Sequence, residues 1–298
     1  EIGVHYLMHI VSLVSASTPN LAPKIIALAL NKSLQKQMLN TEGNSNDRVK
    51  RILEQQDYYD LPAIAEAAPL SFLAEVWPWF IKVLDCIRSE EHPLVVGYRM
   101  DYSLATQLSS EDRRGREYPI VLAIERAIIQ LATTMPNEFL QFLYKWESAD
   151  YLVVQRLLAR GLLKMASTYP TECLRFLTFD PRRMVLETGL SEHFSETVEL
   201  IKACVTYLNE EQVRQLEEFI LEWKAYKEFP DDNIKTRFER KKRDRLMRLN
   251  LLKAIPLDKL STKGQLLISK EKRVFPDDNG KRAMFTGVHT VQSPMSSS

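Results

Sequence analysis

The chain has 298 residues and a net charge of +1, so no global charge would draw it to nucleic acid or to anionic lipid. Hydrophobic residues make up 45% of the sequence and charged residues 27%, which excludes a wholly disordered chain. Only nine glycines are present, and this scarcity favours helices over strand-and-turn folds or glycine-rich phosphate loops.

The first strong helical pattern along the chain is APLSFLAEVWPWFIKVL, residues 68–84, in which Trp77 and Trp79 flank Pro78. Proline inside a helix removes a hydrogen bond and collides with the preceding turn. The sequence therefore predicts a kink or a restart at Pro78, with two indoles that point apart. We expect both tryptophans to pack in the core at this bend, and a partner-binding aromatic patch is the alternative.

Residues 88–117 are polar and irregular, and they interrupt the helical pattern. They contain Glu90, His92, Asp101 and Asp112, whose side chains can act as acids and bases. An enzyme with a site built around this segment is therefore one alternative function. A deep polar pocket in which these groups converge would support it.

A repeated phrase follows, with TMPNEFLQFL beginning at Thr134 and TYPTECLRFL beginning at Thr168, 34 positions apart (168 − 134). Each copy follows an amphipathic helical pattern and contains a proline, which is favoured in the first turn of a helix because its missing N–H needs no partner there. Two helices in 34 residues is the period of a helical solenoid. The residues expected to face the core are Phe139, Leu140 and Leu143 in the first copy and Cys173, Leu174 and Leu177 in the second.

Three further helical patterns follow the repeat. The pattern over 210–227 comes after a capping pair, Asn209 and Gln212, and residues 236–255 and 262–275 also predict helices. Residues 275–298 have weak periodicity, so we expect a loop or a partly ordered tail there.

The strongest charge feature is residues 235–248, with eight basic and two acidic side chains and a net charge of +6. Its centre is the run Arg240, Lys241, Lys242 and Arg243. The preceding residues 209–232 carry eight acidic and three basic side chains, so the two segments can pair with each other and with water. A nucleic-acid-binding helical protein that uses the basic run is another alternative function, although we do not expect nucleic acid as the partner.

The sequence contains no Walker-type phosphate loop, no nucleophile motif and no paired cysteine motif. We therefore predict no catalytic residue, no metal ligand and no cofactor site in this segment. Cys86, Cys173 and Cys204 are widely spaced in apolar contexts, which is typical of a protein from the reducing cytoplasm. No stretch of the sequence is apolar over the length that a membrane span needs.

These patterns predict an all-α fold, a solenoid of antiparallel helix pairs similar in kind to HEAT or TPR superhelices. The array would cover residues 1–274, with an interruption at 88–117. Stacked pairs complete each other's core and leave a broad surface for partners, so we expect a non-catalytic interaction module. The candidate partner-binding residues are Trp77, Trp79, Arg240, Lys241, Lys242 and Arg243.

Three phrases carry a family resemblance: APLSFLAEVWPWFIKVL, then LTFDPRRMVLETGLSEHFSETVELIKAC, then LLKAIPLDKLSTKGQLLISKEKRVFP. In this order they resemble the long helical region of large bacterial ATP-binding proteins, the STAND-type NTPases of the antiviral Avs kind and their relatives. The residues that fill the positions of that pattern are Arg182, Arg183, Ser195, Glu199, Leu200, Ile201, Ser293 and Pro294.

The resemblance implies that this chain belongs to a multidomain protein and lies beyond its nucleotide-binding module. Such a region would serve sensing, autoinhibition or assembly. Its partners would be another protein or other domains of the same parent chain, and any NTPase activity would belong to the parent.

Overall fold

The computed structural model describes residues 2–39, 51–53, 60–87, 97–99, 104, 108, 118–186, 195–225 and 233–275. Within these residues the fold is all-α, and the only bridge of strand type is an isolated pair between Arg99 and Tyr151. The helices are α1 (Ile2–Ser17), α2 (Ala22–Leu39), α3 (Leu61–Ala67), α4 (Pro69–Cys86), α5 (Pro119–Thr134), α6 (Pro136–Trp146), α7 (Leu152–Met165), α8 (Pro170–Phe179), α9 (Glu196–Val205), α10 (Glu210–Glu222), α11 (Ile234–Lys253) and α12 (Thr262–Val274), with short 3-10 helices at Pro181–Met184 and Leu257–Lys259.

The helices pack in an order that follows the chain. One row of helices, in which each member contacts the next, consists of α3, α5, α7, α9 and α11. Outside this row, α2 contacts α4, and α8 contacts α10. Helices that are consecutive in the chain also contact each other, α4 with α5 and α11 with α12 among them. The all-α class is therefore confirmed. This packing order is what stacked helix pairs would give, and the superhelical solenoid remains a prediction.

Prolines mark the starts of four helices, because a proline at the first position of a helix leaves no backbone N–H without a partner. Helices α4, α5, α6 and α8 begin at Pro69, Pro119, Pro136 and Pro170. The helix starts predicted at Pro136 and Pro170 in the two copies of the repeated phrase are thus confirmed.

The repeated phrase supplies matching core residues to α6 and α8. The buried positions are Phe139 and Leu143 in α6 and Cys173, Leu174 and Leu177 in α8. Leu140 is only half-buried and packs against the edge of the core. Gly161 of α7 allows the closest approach in this region, because a Cβ atom there would lie 2.4 Å from the ring of Phe139.

Helix α4 continues without a break through Pro78, so the predicted restart is wrong, while the alternative of a kink stays a prediction. Trp77 and Trp79 are each only 1% exposed and point to different neighbours. The indole N–H of Trp79 donates a 3.0 Å hydrogen bond to the Leu30 carbonyl of α2, and the Trp77 ring lies 4.8 Å from that of Phe142 in α6. Both tryptophans are therefore core residues, and their proposed role as a partner-binding patch is wrong for this conformation because neither ring reaches the surface.

Helix α10 begins as predicted and ends early. The Asn209 side chain accepts from the Gln212 N–H, and the Gln212 side chain accepts from the Asn209 N–H, which completes the capping box. The helix ends at Glu222, whereas the pattern predicted residues up to 227. Trp223 takes an extended backbone and its indole donates a 2.8 Å hydrogen bond to the Pro181 carbonyl, a tertiary contact that the helical pattern does not contain.

Candidate functional site

The irregular 88–117 segment is anchored on the helices through the residues that the structure describes. Tyr98, Leu104 and Leu108 are buried. The carbonyl of Arg99 accepts a 2.9 Å hydrogen bond from the N–H of Leu152, at the start of α7. This segment therefore contributes to the core of the helix stack.

The predicted enzyme alternative depends on four acidic or basic side chains of the same segment. Glu90, His92, Asp101 and Asp112 all lie outside the described residues. An active site built around this segment therefore stays a prediction.

A cluster of buried charges joins α5, α7 and α9 beneath that segment. Arg156 and Arg160 lie one turn apart on α7, and both donate to Glu196, the first residue of α9. The nitrogen–oxygen distances are 2.8 and 2.9 Å from Arg156 and 3.0 Å from Arg160. Arg160 also donates to the Glu125 carboxylate of α5 and to the Leu108 carbonyl.

Each charge in this cluster has an opposite charge within contact distance. Burial opposes the charge of Arg160, but the nearby Glu196 and Glu125 carboxylates outweigh it and raise the pKa of that guanidinium. Arg156 and Glu196 are fully buried. The cluster thus locks three helices of the row together, and its polar atoms are occupied in doing so.

A second set of contacts surrounds Arg183, one of the two arginines in the family pattern. Arg183 is buried and donates to the Gln155 side chain at 3.1 Å and to the Phe176 carbonyl at 2.7 Å. Its guanidinium carbon lies 3.9 Å from the centre of the Phe176 ring, and burial lowers its pKa. Arg183 therefore fastens the 3-10 helix to α7 and α8.

Arg182, the other arginine of that pattern, makes its own set of contacts. It donates to Asp180 at 2.9 Å and to Asp150 at 2.6 Å, and it lies 4.1 Å above the Tyr98 ring. Hydrogen bonding to Asp180 raises the pKa of Arg182. These contacts tie the 3-10 helix to the loop before α7 and to the 88–117 segment.

The remaining residues of the family pattern divide between the core and the surface. Leu200 and Ile201 are buried in α9, while Glu199 pairs with Lys202 at 2.9 Å. Ser195 precedes α9, but its side chain makes no capping hydrogen bond. Ser293 and Pro294 lie outside the described residues.

A cleft of about 620 Å³ lies between α10 and the 3-10 helix at Leu257–Lys259. Its polar groups hold neighbouring helix ends. Lys259 donates to the Val205 and Thr206 carbonyls at 2.9 and 3.1 Å, at the end of α9. Glu217 accepts a 2.8 Å hydrogen bond from the Ser261 N–H at the start of α12. This cleft therefore serves helix capping.

The basic run lies on α11, whose two halves differ in burial. From Ile234 to Arg243 no residue is buried, whereas the later half buries Asp244, Met247, Leu249, Leu251 and Leu252. Lys241 and Lys242 are exposed, and Arg240 and Arg243 are half-buried. The N-terminal half of α11 therefore extends beyond the core and carries the basic side chains with it.

Apolar side chains accompany these charges. Ile234 is 88% exposed and Phe238 is 63% exposed. Ile234, Phe238, Lys241 and Arg245 follow one another at spacings of four, three and four residues, which places them on one face of the helix. A basic and apolar stripe thus runs along this half of α11.

The contacts of the stripe with α12 lie at its far end. Arg245 donates to Glu271 of α12 at 2.8 Å, and its guanidinium carbon lies 5.7 Å from the centre of the Phe275 ring. Helix α12 ends at Val274. Within the described part of the chain, α12 therefore covers this face of α11 only as far as Arg245. The part of the stripe N-terminal to Arg245 continues past the end of α12.

Among the described residues, no group of three histidine, cysteine, aspartate or glutamate side chains is arranged to hold a metal ion. No helix in that part of the chain combines the length and the apolar character needed to cross a bilayer.

Neither a family model, nor a curated protein, nor a solved structure matches this chain. The resemblance to the helical region of STAND-type ATP-binding proteins therefore stays a prediction. The exposed stripe of α11 is the feature of the described residues that best fits contact with a partner.

Proposed function

We propose that this chain is a non-catalytic helical interaction module and that the N-terminal half of α11 is its contact surface. One observation carries the proposal. Ten residues, Ile234–Arg243, continue a helix out of the core while they expose apolar side chains beside basic ones. A surface that combines apolar anchors with charge is typical of a protein interface.

The distribution of polar groups supports the same proposal. The buried charges of Arg156, Arg183 and Glu196 are engaged with neighbouring helices. The side chain of Lys241 lies instead on the exposed stripe, and Lys242 is exposed beside it. Binding by this surface would leave the internal polar contacts of the helix stack unchanged.

The wider setting of the module follows from the resemblance of the helical phrases. We propose that the chain is the sensing or regulatory region of a bacterial antiviral ATP-binding protein of the STAND type, located in the cytoplasm. Its contacts would be a protein partner or other domains of the same parent chain. An upstream Walker loop in the parent reading frame would support this assignment, and a parent without a nucleotide-binding module would contradict it.

Site-specific photo-crosslinking tests the proposed contact surface. A photoreactive amino acid replaces Phe238 in one version of the full chain and Leu266 in another, because Leu266 is an equally exposed apolar residue on α12, with 66% exposure. We expect a crosslinked partner polypeptide from position 238 and none from position 266. Adding Lys241→Glu with Lys242→Glu to the first version is expected to remove the product.

Two results would contradict the proposal. Equal crosslinking yields at positions 238 and 266 would show that the surface of α11 is not distinguished from an ordinary exposed position. A product that persists in the charge-reversed chain would show that the basic residues do not contribute to binding.

A further inference from the structure

We propose that α11 binds an acidic, amphipathic helical segment of a protein partner. The binding site is the open seam of α11, defined here as Ile234, Phe238, Lys241 and Lys242. This inference rests on the proposed function and names the chemistry of the partner.

The first support is continuity with an interface inside the molecule. Helix α12 packs against α11 and brings a carboxylate, Glu271, and an aromatic ring, Phe275, to Arg245. The stripe that contains Arg245 continues into Lys241 and Phe238 at helical spacing. A partner that supplies a carboxylate and an apolar side chain at each turn would repeat the chemistry that α12 already uses on this face.

The second support is charge. Residues 235–243 contain six basic side chains and one acidic side chain, a net charge of +5, although the whole chain carries only +1. The exposed Lys241 and Lys242 side chains are neighbours and repel each other, and an acidic partner would relieve that repulsion. The attraction would act over about 8–10 Å at physiological salt, so binding should weaken as salt is added.

The third support is the apolar content of the open seam. Ile234 is 88% exposed, and Phe238 lies one turn further along the same face with 63% exposure. A nucleic-acid backbone would engage the lysines and leave Ile234 in water, whereas an amphipathic helix would cover both kinds of side chain. Two apolar side chains are also few for a helix that inserts into a membrane surface.

The length of the open seam fits a short helical partner. Lys242 lies eight positions after Ile234 (242 − 234), which corresponds to about 12 Å, or about two turns of helix. The spacing of four, three and four residues is the one that coiled-coil helices present to each other. The partner segment would therefore pack along α11 as a helix and extend the packing of α12.

A binding titration with defined probes tests this inference on the full chain. The main probe is a synthetic helical peptide of about three heptads with leucine along one face and glutamate beside it. The matched probe has every glutamate replaced by glutamine. An oligothymidylate strand and vesicles of phosphatidylserine represent the other anionic partners.

We expect the glutamate peptide to bind and the glutamine peptide to bind at least about tenfold more weakly. Lys241→Glu with Lys242→Glu, and separately Phe238→Ser, should each weaken binding of the glutamate peptide by about tenfold or more. The control is Lys263→Glu with Lys270→Glu, which makes the same charge change on exposed residues of α12. It should leave affinity within about twofold of the original, because long-range charge effects are screened.

Three outcomes would overturn the inference. Tighter binding of oligothymidylate or of vesicles than of the peptide, with the same dependence on Lys241 and Lys242, would assign a different class of partner and leave the contact surface in place. No binding of the glutamate peptide at low salt would exclude acidic helices as ligands. Binding that increases about tenfold in a chain ending at Phe275 would identify the chain's own residues 276–298 as the occupant.

The photo-crosslinking result separates this inference from the proposed function. A crosslink at position 238 to a partner without acidic helices would support the interaction module and contradict the partner chemistry. The absence of any crosslink specific to position 238 would contradict the interaction surface itself.

Discussion

The buried pair of Arg156 and Glu196 offers a quantitative prediction about what holds the helix row together. Glu196→Leu removes the carboxylate that accepts at 2.8 and 2.9 Å from Arg156. Arg156 is fully buried and loses that counter-ion. Removal of one partner from a buried pair costs about 3–5 kcal/mol, and Arg160 loses its hydrogen bond to the same carboxylate, so we expect a loss of at least about 4 kcal/mol in the free energy of unfolding.

Replacing both partners should cost less than replacing one. In the double variant Arg156→Met with Glu196→Leu, no charge from this pair remains buried, and apolar replacements of similar volume are often nearly neutral. Arg160 loses one hydrogen bond to Glu196 but keeps Glu125 and the Leu108 carbonyl. A hydrogen bond of a charged group contributes about 1.5–3 kcal/mol, so we expect a loss of about 2 kcal/mol for the double variant.

Urea unfolding followed by circular dichroism measures these differences. The change in the midpoint urea concentration gives the change in the free energy of unfolding when the slope of that free energy against urea concentration is the same in all variants. Glu199→Leu is the matched control, because Glu199 lies one turn further along α9 and makes a partly exposed pair with Lys202. It should cost less than about 1 kcal/mol. A double variant that is as unstable as Glu196→Leu, or less stable, would refute the reasoning, because the cost would then not come from a buried charge that has lost its partner carboxylate.

Three more predictions concern a close contact, a tyrosine and two thiols. Gly161→Ala should lower the free energy of unfolding by about 1–2 kcal/mol, because the new Cβ would lie 2.4 Å from the Phe139 ring. Adding Phe139→Leu to this variant should restore part of the lost stability in the same urea assay. Burial raises the pKa of Tyr151 to about 12 from 10.0, so the folded state favours the neutral phenol. The free energy of unfolding should therefore fall as the pH rises from 10 to 12. Tyr151→Phe should make this fall smaller in urea titrations over the same pH range. Burial raises the pKa of both Cys173 and Cys204, so neither thiol should react with a maleimide at neutral pH until urea unfolds the chain, and labelling of the folded protein would contradict their burial.

Local signals in the sequence predicted the parts of the fold that local chemistry controls. Pro136 and Pro170 marked helix starts because a missing N–H costs least in the first turn. Asn209 and Gln212 predicted a capping box because each side chain reaches the other's backbone within one turn. The basic run of α11 was also visible, since charge density requires no knowledge of the fold.

The buried charge cluster could not be assembled from the sequence. Arg156 and Arg160 stand four positions apart in a helix whose only other polar side chains are Gln155 and Lys164, and this spacing is a local signal of a buried polar contact. Their partners Glu196 and Glu125 lie 40 and 35 residues away along the chain. Only the packing of α5, α7 and α9 brings these groups together.

Tertiary packing also explains where the helix boundaries departed from expectation. A proline inside a helix costs about 3 kcal/mol, and burial of both Trp77 and Trp79 beside Pro78 offsets that cost in α4. Helix α10 stopped at Glu222 because Trp223 leaves the helix and donates to the Pro181 carbonyl. The exposure of Ile234 and Phe238 likewise depends on where α12 ends along α11, which no local sequence pattern encodes.

Amide hydrogen exchange of the full chain tests the central claim most directly, because it reports whether the N-terminal half of α11 is uncovered and whether a partner covers it. A helix of ten residues without buried side chains is marginal in water, so the amides of residues 237–243 should exchange much faster than those of α7. Adding the acidic peptide should slow residues 237–243 by about tenfold or more and leave α7 unchanged. Amides of 237–243 that are already as protected as those of α7, or that do not respond to the peptide, would contradict the account.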